Sequence, residues 1–283
     1  MNRIKIFIYN IYYFPLLKKL GYIRSKKQSF LPPSSYYKGI TPFENLLSIH
    51  EQYLKQTGWL ESKAENSSVF NGQPIPWISY SFLNFINMLV LKDKNLVEFG
   101  AGASTYYFVE KVKNIVSVEF DSEYFKILES RLSKKNNLQL VDGNNIDLFN
   151  DYLCDPLTSI SESNLAILKN AYSYDLKNKW ASKPLDYAAE KFFLFAKEQV
   201  INANIILIDG QFRNTLMVIA AFYASENSII IVDNSDFSHL DIGLSSLSDK
   251  EFVHFPFLSL GALNPYGVQT SMFLKNLKSL PFK

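Results

Sequence analysis

From residue 95 onward the chain alternates between two kinds of segment, and this alternation limits its fold more than any other feature. Short apolar runs bounded by turn residues occur at 95–99 (NLVEF), 114–120 (NIVSVEF), 137–141 (NLQLV), 203–208 (ANIILI) and 228–232 (SIIIV). Helical patterns lie between them, in STYYFVEKV, in 122–135, in 186–200 and in NTLMVIAAFYA. Strand, helix and strand in succession predict βαβ units, a parallel sheet and helices on both faces. The last two runs, 251–257 and 269–275, are joined through Gly261 and Pro265-Tyr266-Gly267. They are expected to close the sheet as an antiparallel pair at one edge. The fold class is thus Rossmann-like α/β, with seven mostly parallel strands.

Upstream, residues 1–40 read as a basic, aromatic arm and linker, and 41–94 as an N-terminal helical segment. Thr41 with Glu44 makes a capping box, and Gly58 supplies a stop. Residues 65–76 read as a loop, and 75–91 (IPWISYSFLNFINMLVL) as one buried helix. Residues 95–283 form the main domain. The stretch 144–202 is too long for a simple crossover. Within it, 151–185 reads as an insertion, expected to cap the ligand edge. It carries Tyr172, Tyr174 and Trp180, and Trp180 is assigned to substrate binding.

Charge is unevenly spread. Eight of the 29 Lys/Arg fall in residues 1–43 before the first acid, Glu44, leaving 21 against 27 acids in the remainder, or −6. A body of that sign disfavours a long phosphate track, so no nucleic-acid partner is expected. For residues 1–30 two readings stand open. The arm lies peripherally on a membrane, or it packs on protein. It is too interrupted to span a bilayer and lacks a cleavable leader pattern. The one cysteine, Cys154, excludes an internal disulfide and a Cys-cluster zinc site, which fits a reducing cytoplasmic compartment.

The chemistry concentrates where the first strand opens into a helix: Glu98-Phe99-Gly100-Ala101-Gly102-Ala103-Ser104-Thr105. Glycines there let backbone approach a ligand closely. The second strand ends in Glu119, about twenty residues on, where a carboxylate accepts from ribose hydroxyls. The third ends in Asp142, beside the expected adenine, and the fourth and fifth in Asp209-Gly210 and Asp233-Asn234. These strand ends share the carboxyl rim, where open α/β sheets bind ligands.

With that constellation, residues 74–276 resemble the class I S-adenosylmethionine (SAM)-dependent methyltransferases. The resemblance implies that Glu98, Gly100, Ala101, Gly102 and Ser104 line the methionine side, that Glu119 holds the ribose and that Asp142 faces the adenine amine. It puts Asp209 near the sulfonium and the acceptor, and the PWISY segment over the cofactor. Asp209 and His239 are the candidate bases for an alcohol acceptor. Arg213 is a candidate clamp for an anionic acceptor. Asp209, Asp233 and Asn234 offer hard oxygens for Mg²⁺, with Asp236 as a further donor, an arrangement similar to that of metal-dependent O-methyltransferases. The expected acceptor is a small molecule, a sugar or a lipid-linked glycan. Two alternatives remain: a nicotinamide-linked oxidoreductase, which would want a third glycine where Ser104-Thr105 stands, and a non-catalytic scaffold of the same fold.

Overall fold

The computed structural model describes residues 50–146, 160–178, 181, 184, 189–264 and 266–282. The expectations placed on residues 1–49, on Cys154 and on Trp180 lie outside these residues. The unit described below is Leu54–Lys283.

Seven strands form the main sheet: β1 (Asn95–Phe99), β2 (Asn114–Glu119), β3 (Leu138–Asp142), β4 (Ile205–Ile208), β5 (Ile229–Val232), β6 (Val253–Leu260) and β7 (Gly267–Leu274). Their spatial order is β3-β2-β1-β4-β5-β7-β6. The first five are parallel, and β7 runs antiparallel between β5 and β6. The five parallel strands follow the order of a doubly wound nucleotide-binding sheet, so the Rossmann-like expectation holds. Every residue of β4 and β5 is buried, which is why both are unbroken Ile/Leu/Val runs. β6 forms an edge and alternates in exposure.

The described helices include α1 (Trp59–Glu65), α2 (Tyr80–Ile86), α3 (Ala103–Val109), α4 (Ser122–Leu132), α5 (Glu162–Lys177), α6 (Ala189–Ile201), α7 (Arg213–Tyr223) and α8 (Asp241–Asp249). Strand parity places helices on both faces. Val97, Phe99, Val118 and Val141 pack into the cluster that holds Phe192, Phe193, Leu216 and Leu247. Leu138 and Leu140 point the opposite way and pack with Ala101, Leu128 and Leu132.

Two sequence expectations change. Residues 75–91 are not one helix. Ser79 caps α2, accepting from the Phe82 amide at 3.4 Å, and the helix ends at Ile86. Beyond it Leu89 bridges Phe282, and the Val90 amide donates to the Pro281 carbonyl at 2.6 Å. Residues 65–76 contain an antiparallel ribbon, Val69–Phe70 with Gln73–Pro74. Its turn residues, Asn71 and Gly72, are both left-handed. Glu61 accepts from both their amides, at 2.8 and 2.7 Å.

The described part of the insertion is a docked helix. Leu168 and Ala171 of α5 are buried, and the Tyr172 ring stacks on Phe212 with centroids 5.2 Å apart. Asp175 is also fully buried. Its carboxylate accepts from the Asn214 side chain (2.8 Å), the Thr215 amide (2.9 Å) and the Thr215 hydroxyl (2.8 Å). It therefore caps α7, which has no side-chain cap of its own.

Candidate active site

Two loops touch at the switch between β1 and β4. Gly100 has φ +107°, and a Cβ there would lie 2.5 Å from the Gly210 amide nitrogen. Only glycine fits that contact and that backbone. Gly102 differs, since its φ is 176° and a Cβ would meet nothing nearer than the Tyr124 hydroxyl at 3.9 Å. Its small size leaves the cavity wall open.

Beneath the loop Glu98 is completely buried. Its Oε2 accepts from the Thr105 hydroxyl (2.6 Å) and the Ser117 hydroxyl (2.7 Å), and Thr105 Oγ1 accepts from the Gly102 amide (2.9 Å). The chain from Gly102 through Thr105 to Glu98 fixes the loop on the sheet. Glu98 Oε1 has no hydrogen-bond partner among the described residues. Burial raises this carboxyl above the usual range.

The loop opens on a cavity of about 670 Å³, a size typical of small-molecule sites. Gly100 to Ser104 form one wall, and Glu119 and Tyr124 the β2 side. Asp209, Gly210, Gln211 and Arg213 form the β4 side. Asn66, Ser67, Ser68, Trp77 and Leu263 complete the rim. Glu119 Oε1 accepts from the Asp121 amide at 2.8 Å, and burial pushes its carboxyl up to about 7.

Arg213 is 6% exposed and its guanidinium is consumed by the protein. Nε donates to the Gly210 carbonyl (2.9 Å). Nη1 donates to the Asp233 carbonyl and to Asn234 Oδ1 (3.1 Å), and Nη2 to the carbonyl (3.1 Å) and Oδ1 (3.2 Å) of Asp209. A guanidinium has five N–H groups, and five acceptors take them. Arg213 thus ties the ends of β4 and β5 together, and no donor is left to clamp an anionic acceptor.

The same geometry corrects the Mg²⁺ expectation. Oxygens of Asp209 and Asn234 that would face an ion instead accept from Arg213. Among the described residues no group of three His, Cys, Asp or Glu side chains could hold a metal. Asp233 sits beneath Asp209, and Thr270 Oγ1 donates to its Oδ1 at 2.5 Å. Burial, and then Asp233, hold Asp209 well above the usual carboxylate range, and burial pushes Asp233 up to about 6.

Of the residues singled out from sequence, Gly100, Ala101, Gly102, Ser104, Glu119, Asp209 and Arg213 meet at this one cavity. Asp142 and His239 do not line it. The Asp142 carboxylate accepts from the Asn144 amide (3.0 Å) and Ser122 Oγ (3.3 Å). The His239 ring stacks on Phe237, and its carbonyl accepts from Asn214. Sequence reasoning missed Asn66, Tyr124 and Thr270, and reached Trp77 only as part of the PWISY segment expected over the cofactor. Pro76 before Trp77 and the N-cap Ser79 were signals that Trp77 precedes the helix.

No protein-family model and no curated protein matches the chain. Solved structures do resemble it weakly. One is precorrin-6y C5,15-methyltransferase from Geobacter metallireducens GS-15, at 10% identity and TM-score 0.43, over 70% of this chain and 88% of that one. Spermidine synthase from Thermotoga maritima aligns at 10% identity and TM-score 0.43, over 75% and 66%. The O-methyltransferase TomG from Streptomyces achromogenes, in complex with SAM, aligns at 11% identity and TM-score 0.39, over 69% and 77%. Likenesses of this strength say nothing of what the chain binds. Among the described residues no helix is long and apolar enough to cross a membrane.

Proposed function

We propose that the chain binds SAM in this cavity and transfers its methyl group to a hydroxyl of a small-molecule, sugar or glycan acceptor. The observation that carries the reading is the cavity's charge. Among its described lining residues the ionisable acids are Glu119 and Asp209, Glu98 lies below, and the one Lys or Arg is the fully engaged Arg213. A pyrophosphate-bearing dinucleotide would bring negative charge to a site whose described lining has no cation beyond the engaged Arg213. A permanently cationic ligand is favoured there.

Gly100 to Gly102 would admit the amino-acid end of such a ligand, and Glu119 would accept from its ribose hydroxyls. When bound, SAM supplies a methyl group already activated on a sulfonium. The protein then has to orient the acceptor and take up its proton. Asp209 faces the cavity, and its raised proton affinity suits it as the base. Arg213 holds it in place, and Thr270 fixes the neighbouring Asp233. Asp142, set in its own turn, is left with a supporting part at the adenine end.

Calorimetric titration with SAM and with NAD tests the proposal. SAM is expected to bind and NAD not to. Binding of NAD without SAM would replace methyl transfer by the oxidoreductase reading.

A further inference from the structure

The cavity has a second half, on the β7–β6 side of the sheet, to which the contacts proposed above for the amino-acid and ribose ends assign nothing, and it holds Trp77 of the segment expected over the cofactor. Two residues beyond Trp77, the Ser79 amide donates to Thr270 Oγ1 of β7 at 2.9 Å, and Ser79 bridges Gly261. Trp59 of α1 donates from Nε1 to the Asn264 carbonyl at 2.9 Å. The segment carrying Asn66 to Trp77 is thereby pinned beside the β6–β7 loop and Leu263. Glu119, on β2, lies across β1, β4 and β5 from it. In strand order the end of β4, with Asp209, lies between Glu119 and this rim.

The chemistry of this rim is specific. Trp77 is 54% exposed although it lines a cavity. A large aromatic left open to water at a cavity mouth is a stacking platform. Beside it are an amide and two hydroxyls, on Asn66, Ser67 and Ser68, and no cation. The Asn66 and Ser67 side chains make no hydrogen bond among the described residues, and Ser68 Oγ donates to the Ile75 carbonyl while its lone pairs stay open. Asn66 (φ +48°) and Leu263 (φ +61°) are both held in the left-handed region. For leucine that conformation is an outlier, of the kind that clusters at functional sites.

Resting on the methyltransferase reading, we infer that this rim is a subsite for a neutral, polyhydroxylated acceptor, a carbohydrate ring stacked by its C–H face on Trp77. Neutral amide and hydroxyl groups match sugar hydroxyls as both donors and acceptors. An anionic acceptor finds carboxylates and an occupied arginine. A planar aromatic acceptor needs apolar walls on both sides, and here Asn66, Ser67 and Ser68 supply polar ones. In the transfer, an acceptor hydroxyl oxygen bonds to the methyl carbon as the sulfur–carbon bond breaks. The sulfur keeps that electron pair, leaving S-adenosylhomocysteine, and the hydroxyl proton passes to Asp209.

The test follows tritium from methyl-labelled SAM onto neutral hexose oligosaccharides, the corresponding uronates, catechol and a short RNA. SAM affinity is measured separately by calorimetry. Label is expected on the neutral oligosaccharides. Trp77→Ala should cut it about tenfold while changing the Kd for SAM by a clearly smaller factor, and Trp77→Phe should restore part of it. Label confined to uronates, catechol or RNA overturns the inference, as does no label on any probe while SAM binds, or a Trp77→Ala rate equal to wild type. Failure of SAM to bind would instead sink the methyltransferase reading itself.

Discussion

Glu119→Gln is expected to weaken SAM binding at least tenfold at pH 8 and to abolish most of its pH dependence. The side chain lines the β2 side of the cavity, and burial pushes its carboxyl up to about 7. Asp121 and Glu98, both acidic, act in the same direction, and Tyr124 is the other titratable group on that side. A ribose donates to the ionised form, so affinity should rise with pH. With a carboxyl near 7, the wild-type Kd falls about tenfold from pH 6 to pH 8 as the group ionises. Hydrogen bonds to a charged acceptor contribute about 1.5–3 kcal/mol, which sets the tenfold minimum for the variant at pH 8. At pH 6 the wild type has largely lost the same charge, so the two proteins should converge. Calorimetry at pH 6, 7 and 8 decides. A variant that keeps the wild-type Kd at pH 8 removes Glu119 from the cofactor site.

The features legible from sequence were those that repeat locally. Ile205–Ile208 and Ile229–Val232 are buried on both faces, and only an unbroken apolar run satisfies that. Gly100 was legible because its contact with Gly210 admits no other residue. Glu119 was legible because strand, helix and strand fix its distance from the glycine loop. What stayed hidden depends on contacts between distant segments. Arg213 looks from its position like a substrate clamp, and only the packing of β5 beside β4 shows that its five donors are spent. The same packing turns Asp209, Asp233 and Asn234 from a metal set into acceptors for Arg213, Asp233 through its backbone carbonyl. Trp77 was absorbed into an apolar run that the chain breaks at Ser79.

Asp175 is the clearest instance of a hidden contact, and its removal should have the largest effect on stability. It lies on the stripe of α5 that buries Leu168 and Ala171, at i+7 and i+4 from them. An acid on an apolar stripe is the one local sign of its role. Its carboxylate serves the first turn of α7 through Asn214 and Thr215, both fully buried. Asn214 passes the connection on, donating to the His239 carbonyl (2.9 Å) and accepting from the Gly243 amide of α8 (3.0 Å). Asp175→Ala would leave those donors buried without an acceptor, at about 1–3 kcal/mol for each group left unsatisfied. A loss of about 3 kcal/mol or more is expected, which for a chain of this size lowers Tm by about 6–12 °C. Asp175→Asn keeps one accepting oxygen but turns an NH₂ toward donors, so its Tm should fall between the two. The glycine loop and Glu119 lie on other elements, so SAM should still raise the Tm of the alanine variant. Scanning calorimetry with and without SAM reads both effects. A Tm within about 2 °C of wild type would mean that α5 does not hold α7 in place. A large fall with the SAM shift preserved would show that the insertion stabilises the body while the cavity is built by the strand ends.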